Sequence, residues 1–322
     1  MLAVIIVNFN SGDWLGRCLL GMASQSIRPD FITIVDNNST DASLEIAEAV
    51  EIEYRIIKAD KNLGFAAANN LASQLHPDCR WIVLLNPDTI PEPDWLEKLV
   101  EYAEAHPECG AVGSLMTKAD DNSILDGIGD AYHGSGLAWR LGHGKPRSEV
   151  DLGENPVFSP SGAAVLYNKE LFERLGGFDE SFFCYYEDID LGFRIRLAGY
   201  ACGFAPHSIV RHAGSAITGK RSDFTVYHGH RNMVWTFVKN TPGWLFWFYL
   251  PHHLFINSAF VLLCIFRGQM QVILRAKRDA IRGLPEAWRK RREIQQGRKA
   301  CIQDIRKAMT PNMLDWFRTR RY

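Results

Sequence analysis

Trp81-Ile82-Val83-Leu84-Leu85-Asn86-Pro87-Asp88 decides how this chain is read. The five apolar residues, closed by a Pro-Asp turn, read as a buried strand. Asp88 then falls at the C-terminal end of that strand, where α/β sheets bind their ligands. A second acidic site stands further along, Glu187-Asp188-Ile189-Asp190, followed by Leu191-Gly192-Phe193-Arg194. Such a pair suits an enzyme that holds a metal-bound phosphate with one carboxylate and deprotonates a substrate with another.

Working outward from that strand, the first hundred residues alternate. Strand patterns at 2–7, 31–35, 54–58 and 81–85 are separated by helical spacing at 14–25, 40–50 and 66–74, and a helix is expected at 94–105. Ser39 or Thr40 is the expected cap of the second helix. The rhythm predicts an α/β fold, a Rossmann-like, mostly parallel sheet with helices on both faces. A strand is expected at 111–116. Residues 120–155 are glycine-rich and irregular, the signature of a lid or substrate loop. A resumed fold at 158–167, helices at 169–176 and 188–197, a last strand at 203–210 and a helix at 223–238 complete the reading. The expected organisation is a domain over 1–222 and a helical region over 223–322.

The chain of 322 residues has a net charge of −1 that hides an asymmetry. Residues 267–322 hold 16 Lys/Arg and 5 Asp/Glu, a net of +11, so the rest carries −12. A basic tail on an acidic body is expected to meet something anionic, or else to be a solvated basic helix. An acidic body without a recognised basic module argues against nucleic acid. The seven cysteines include no CxxC pair, which favours reduced thiols in a cytosolic setting over a disulfide framework or zinc site. The first residues enter a strand pattern with no signal-peptide features. Residues 244–266 are apolar and aromatic, about long enough to span a bilayer. Pro251, His252, His253 and Asn257 interrupt them, and basic residues flank them, which favours a helix lying in the plane of an anionic leaflet. A span, a soluble core or an oligomer interface are the alternatives.

Several motifs sit at the expected strand ends. Asp36-Asn37-Asn38-Ser39 can bond a heterocycle edge and a ribose, or simply form an Asx turn. In Asn62-Leu63-Gly64-Phe65-Ala66-Ala67-Ala68-Asn69-Asn70, Gly64 lets backbone approach a ligand at a helix N-terminus. The segment is neither a GxGxxG nor a Walker motif. Oxygen ligands at Asp88, with Asn86 as a neutral neighbour, suit Mg²⁺ or Mn²⁺. Among Glu187, Asp188 and Asp190, crowding raises at least one pKa unless the groups are paired. Arg194 can pair with Asp190 across one helix turn, leaving Asp188 as a general base. The aromatic run of Phe178, Phe182, Phe183, Tyr185 and Tyr186 is expected to wall a sugar or lipid. His212, after the last strand, is a candidate metal ligand with Asp88.

In combination these residues resemble the family-2 inverting glycosyltransferases, of the kind called rhamnosyltransferases in bacterial polysaccharide assembly. The resemblance runs from Val4 to about Ser215, on Ser161-Gly162-Ala163, Gly176-Gly177-Phe178-Asp179-Glu180-Ser181-Phe182-Phe183, Glu187-Asp188-Ile189-Asp190-Leu191 and Arg194. Asn62-x-Gly64-Phe65 with Asn70, and Leu85-Asn86-Pro87-Asp88, strengthen it. It extends more loosely through Arg231-Asn232 to the basic tail.

The resemblance implies a GT-A fold. It implies a donor site around Val7, Asn8, Asp36, Asn37, Asn62, Gly64, Asn70, Asn86 and Arg231. It implies metal ligation by Asp88 and His212, and an acceptor or sugar pocket around Gly162, Phe183, Tyr186 and Glu187. Asn86 stands where the family's Asp-x-Asp motif has its first carboxylate, which leaves Asp88 as the strong ligand. Asp188 matches the catalytic base. The implied partners are a nucleotide-sugar donor, with dTDP-rhamnose the first choice, and a glycan or lipid-linked acceptor at the cytoplasmic face of the cell membrane. Transfer to a polyprenyl phosphate, or a non-catalytic sugar-nucleotide-binding scaffold, are the competing readings.

Overall fold

A computed structural model describes residues 1–153, 157–214 and 222–313. Asn155, Ser215 and residues 314–322 of the basic tail therefore lie outside the described residues. The first half runs β1 (Leu2–Asn8), α1 (Trp14–Ala23), β2 (Phe31–Asp36), α2 (Ser43–Glu48), β3 (Arg55–Lys58), α3 (Gly64–Ser73), β4 (Trp81–Leu85), β5 (Thr89–Pro91), α4 (Trp95–Ala105) and β6 (Cys109–Lys118). Three short strands follow, β7 (Leu125–Gly127), β8 (Asp130–Tyr132) and β9 (Ala138–Arg140). Then come β10 (Ala164–Asn168), α5 (Lys169–Arg174), α6 (Glu187–Leu197) and β11 (Ala201–His212). The chain closes with α7 (Asp223–Asn240), α8 (Gly243–Phe266), α9 (Met270–Arg282), α10 (Leu284–Gln296) and α11 (Ile302–Ala308).

The strand order is β3-β2-β1-β4-β10-β6-β11-β5, with β7 on β6. Strands β1 to β4 pair in parallel, as the βα rhythm predicts. Beyond β4 the sheet turns mixed, because β10 inserts antiparallel between β4 and β6. β4 lies at the centre with all five residues buried. Its side chains alternate between two cores: Trp81, Val83 and Leu85 face α1 and α4, while Ile82 and Leu84 face α3 and α5. A strand buried on both faces has no polar side to alternate, so it reads as a continuous apolar run.

Two local readings change. The second helix begins at Ser43 after Ala42, and neither Ser39 nor Thr40 caps it. Ser39 instead receives a hydrogen bond from Asn8. The glycine-rich stretch is not a bare loop: β8 and β9 form a hairpin and β7 extends the main sheet. Three-residue strands are too short to show a period.

The C-terminal helices share a core with the sheet unit. Phe237, Leu245 and Phe246 pack with Ile189, Phe193 and Leu197 of α6 and with Tyr132 of β8. Asp190, fully buried, ties α6 to α7 by accepting from Lys239 (2.8 Å), Asn240 (2.8 Å) and Arg194 (2.9 Å). Asp179 accepts from Lys239 and from Lys290 of α10. Part of the basic tail is thus spent inside the fold.

α8 continues unbroken through Pro251. Leu245, Tyr249, His253, Ile256, Phe260 and Cys264 form its buried seam, whereas Trp247, Phe248, Phe255, Leu262 and Phe266 are exposed. His253 and Asn257 lie on the protein side: His253 Nδ1 donates to the Ser135 carbonyl, and Asn257 donates to His253. Their hydrogen bonds are therefore met within the protein. By length and composition, α8 is the one described helix able to cross a membrane.

Candidate active site

The C-terminal ends of β1, β2 and β4 open on one edge of the sheet. Asn8 ends β1 and Asp36 ends β2. Asn8 donates to Asp36 (2.9 Å), Ser39 and Ser43, while Ser11 donates back to Asn8. Both oxygens of Asp36 are engaged, the second by the Ser39 amide. This buried knot fixes the loop after β2 and leaves Val7 partly open beside it. Asn37 donates to the Gly64 carbonyl and accepts from the Leu63 amide, and Asn62 accepts from the Gly64 amide.

Gly64 has φ +81°, and a Cβ there would lie 2.6 Å from the Phe183 ring and carbonyl. The close approach that this glycine permits within the chain is to Phe183. Asn70 is likewise spent: it accepts from the Phe178 amide and donates to the Phe178 carbonyl and Glu180. Both residues join α3 to the loop before α6.

After β4, the Asn86 carbonyl accepts from the amide and hydroxyl of Thr89, closing the turn that carries Asp88. The Asp88 carbonyl accepts from Ala213, pinning that turn to the end of β11. Asp88 and His212 lie together, with Oδ1 and Nε2 3.4 Å apart. His212 Nδ1 donates to Asp126 at 2.8 Å. Burial works against a charge on His212, but the hydrogen bonds to Asp126 and Asp88 outweigh it and lift its pKa to about 9. Burial also works against a charge on Asp126, yet Arg140, His143 and His212 hold its carboxyl well below the usual range. Arg140 bridges Asp126 (2.6 Å) and Ser161 (3.0 Å).

Asp126, Asp130, Arg140 and His143 all come from the stretch read as an irregular loop. The only signal was the short run Leu125-Asp126-Gly127-Ile128-Gly129-Asp130, whose carboxylates flank glycines.

Asp188 lies in the first turn of α6. Its Oδ2 accepts from the Gly162 amide (3.1 Å) and Oδ1 from the Ile189 amide (2.8 Å). Burial raises its pKa, against these amides and the Arg140 charge. Burial and the neighbouring Asp188 push Glu187 well up, and Glu187 Oε2 is buried without a hydrogen-bond partner. Asp130 is pushed up by burial and by Asp188. For Asp190, Lys239 and Arg194 overcome burial and keep the pKa low. Within the acidic cluster, Asp190 is thus the paired hub of lowered pKa, while Glu187 and Asp188 have raised ones.

The segment that delivers Asp188 is strained. Phe183, Tyr185 and Tyr186 all have positive φ, between 65° and 71°. Such backbone costs of order 1–3 kcal/mol per residue and persists only where its surroundings hold it. Asn232 of α7 holds it here, donating to the carbonyls of Phe182, Cys184 and Tyr185. Arg231 donates to Ser181 and Phe182 carbonyls and lies over Trp235, so its guanidinium braces this loop. Tyr186 donates its hydroxyl to the Gly136 carbonyl, and the Phe183 ring stacks on His228. Phe178 and Phe182 are buried in the core. Both were expected to face a ligand, but an aromatic run does not reveal which rings the core takes.

Among the described residues, no group of three His, Cys, Asp or Glu side chains could hold a metal ion by itself. Asp88 and His212 supply two donors, with Asp126 behind the imidazole as an outer partner. That set fits a cation whose remaining ligands are diphosphate oxygens and water. A separate cavity of about 620 Å³, lined by Met1, Phe31, Thr33, Arg55 and His76, opens at the opposite, N-terminal ends of β1 to β3. It lies away from the edge where such sheets bind ligands.

The family model described as glycosyl transferase family 2 matches residues 3–176. The chain belongs to that family. It is a glycosyltransferase with a GT-A fold, and some of its sequence relatives bear rhamnosyltransferase names. It is 27% identical over 266 residues to the N-acetylglucosaminyl-diphospho-decaprenol L-rhamnosyltransferase of Mycobacterium tuberculosis, covering 76% of this chain and 86% of that protein. It is 25% identical to the O-antigen chain rhamnosyltransferase RfbN of Salmonella typhimurium, over 66% of each chain. Two solved structures share the fold. GalNAc-T7 with UDP, GalNAc and Mn²⁺ aligns with TM-score 0.60 and 17% identity, over 73% of this chain and 47% of that one. The mannosyltransferase PcManGT of Pyrobaculum calidifontis, with GDP-Man and Mn²⁺, aligns with TM-score 0.54 and 18% identity, over 92% and 84%.

Proposed function

We propose that this glycosyltransferase moves a sugar from a nucleoside-diphosphate donor to a lipid-linked glycan acceptor with inversion, and that the donor is dTDP-rhamnose. The observation that carries the reading is Asp188: a buried carboxylate of raised pKa, fixed by the Gly162 and Ile189 amides. A base is most effective when its pKa lies near the working pH and its geometry is set in advance. Asp188 takes the proton from an acceptor hydroxyl as the oxygen attacks the anomeric carbon. The donor occupies the edge formed by Val7, Asn8, Asp36, Asn37, Asn62 and Asn86, with Asn8 and Asp36 shaping the loop rather than offering free atoms.

Asp88 and His212 would hold Mg²⁺ or Mn²⁺, which when bound neutralises the diphosphate leaving group. Asp126 holds the Nδ1 proton of His212, and Nε2, which faces Asp88, would give up its own proton to ligate the cation. Arg140 sets Ser161 next to Gly162 and lowers the cost of a charge on Asp188. Glu187, buried and with a raised pKa, offers a proton to a sugar oxygen. The relatives' printed names support a rhamnosyl donor and a decaprenol-linked acceptor. The exposed aromatic face of α8 and the basic helices after it support work at an anionic, cytoplasmic membrane surface.

The test is a donor panel with Mg²⁺ or Mn²⁺ and an EDTA control, reading nucleoside diphosphate released from dTDP-rhamnose and the common UDP-, GDP- and dTDP-sugars. Metal-dependent turnover of dTDP-rhamnose is expected. Turnover of a different donor would overturn the rhamnose assignment, and none with any donor would favour a binding scaffold.

A further inference from the structure

Between α7, α8, α9 and α10 runs a groove of about 860 Å³. That is within the range of about 300–1,000 Å³ typical of sites that enclose a small organic ligand. Phe237, Phe246, Leu250, Ala280, Leu284 and Trp288 line it, and Leu254 and Ile281 stand exposed at its mouth. The polar side chains in it are His253, Asn257, Lys277 and Arg292.

Lys277 is the unusual one. Its ammonium donates to Asn257 Oδ1 and the His230 carbonyl, both neutral, and no carboxylate pairs with it among the described residues. Burial pulls its pKa down to about 8, so an ordinary cation is held there at a cost. A partly dehydrated ammonium in an apolar trough is satisfied by a ligand that brings one anionic group and a hydrocarbon chain.

The groove also connects to the catalytic end. From Lys277 a hydrogen-bonded path runs through Asn257 and His253 to the Ser135 carbonyl. Ser135 lies in the β8–β9 hairpin loop, and the next residue, Gly136, accepts from Tyr186 beside Glu187 and Asp188. The same hairpin ends in Arg140.

We propose that this groove seats the isoprenoid chain of the acceptor lipid, with its phosphate drawn to Lys277. This rests on the lipid-linked acceptor reading above. Charge complementarity selects this occupant, since the groove offers Lys277 and Arg292 and no carboxylate. An acidic amphipathic helix, a second copy of the chain or a plain bilayer surface are outcomes for the test.

The test uses the full chain in detergent micelles with a diazirine-bearing polyprenyl monophosphate, and the matching polyprenol, mapping the adducts by mass spectrometry. Adducts are expected on residues 246–254 and 277–288. Leu254→Glu and Ile281→Glu, both at exposed positions, should cut labelling at least tenfold with an unchanged circular dichroism spectrum. Lys277→Met should weaken capture of the phosphate at least fivefold and leave capture of the polyprenol unchanged. Labelling that the variants do not alter, or that spreads over Trp247, Phe255 and Phe266, would overturn the proposal and mark a bilayer-facing surface. Crosslinked dimers that exclude the probe would overturn it in favour of a second copy.

Labelling needs no donor, so failure of the groove is separable from failure of the glycosyl-transfer reading. In turnover, the groove variants should raise KM for the lipid acceptor at least tenfold and leave transfer to a short-chain, water-soluble acceptor unchanged. Equal losses with both acceptors would overturn the groove assignment.

Discussion

Asp188→Asn separates catalysis from stability at one residue. The substitution keeps the shape and removes the charge and the basicity. Loss of a general base costs about 10²–10⁴ in rate. At about 1.36 kcal/mol per decade this is roughly 2.7–5.4 kcal/mol of barrier. Stability should move differently. The Asp188 pKa is raised in the folded state. An acid of raised pKa folds best when protonated, so its contribution is complete below the unfolded value and is lost as pH rises through the folded one. Above the folded pKa the ionised carboxylate is therefore a burden, which a neutral amide removes. Against that, the amide can accept from only one of the Gly162 and Ile189 amides, and a weakened hydrogen bond to a charged group costs about 1.5–3 kcal/mol. The two effects oppose, so the denaturation midpoint at pH 7 should stay close to that of the parent chain while turnover collapses. The assay pairs urea unfolding with nucleoside diphosphate release, and donor affinity by calorimetry should be kept. Full activity would refute the base assignment. A large loss of stability would show instead that Asp188 is a structural cap.

Three further outcomes are expected. Asp88→Ala should abolish metal-dependent turnover, and added EDTA should do the same to the parent chain and be reversed by excess Mn²⁺; turnover in EDTA would remove the metal from the mechanism. Lys239→Met removes the cation shared by the buried Asp190 and Asp179, which keep Arg194 and Lys290 as partners, and should cost about 1.5–3 kcal/mol in urea unfolding, whereas Arg289→Met on the exposed face of α10 should change nothing measurable; because both carboxylates have depressed pKa values, the stability they confer is present above their ordinary value and should fall as pH drops through the folded one. Asn232→Ala removes the side-chain donor shared by three carbonyls of the strained loop, of which Phe182 keeps Arg231, and should cost about 1–3 kcal/mol, with a fall in kcat/KM that exceeds any change in donor affinity; unchanged kinetics would show that the loop holds its shape without Asn232.

The β4 strand and its Asp88 were legible because a strand buried on both faces has to be apolar throughout, and a polar residue after it has to mark its end. Asp190 and Arg194 were legible as a pair because four residues bring side chains together on one helix face. These are local rules, and they fix the sheet's parallel half, the helices and the positions of Asp88 and Asp188. Local rules do not reach Asp126 and Arg140. Their strands are three residues long, and they meet His212 and Ser161 only because β7 pairs with β6 and the β8–β9 hairpin folds over.

Nor could sequence separate the polar residues that serve a ligand from those that serve the chain. Asn8, Asp36, Asn70 and Arg231 have the chemistry of a donor site, but their hydrogen bonds close on partners 28, 108 and 50 residues away. A side chain has a fixed number of donors and acceptors, and what remains for a ligand is known only after the fold has used its share. The sequence alone therefore determined the family, the layers and the two acidic stations. The tertiary structure decided which carboxylate is spent on Lys239, which is left basic, and how α7 keeps a strained loop in place beside it. Burial and long-range pairing set those properties, and neither is written in any one segment.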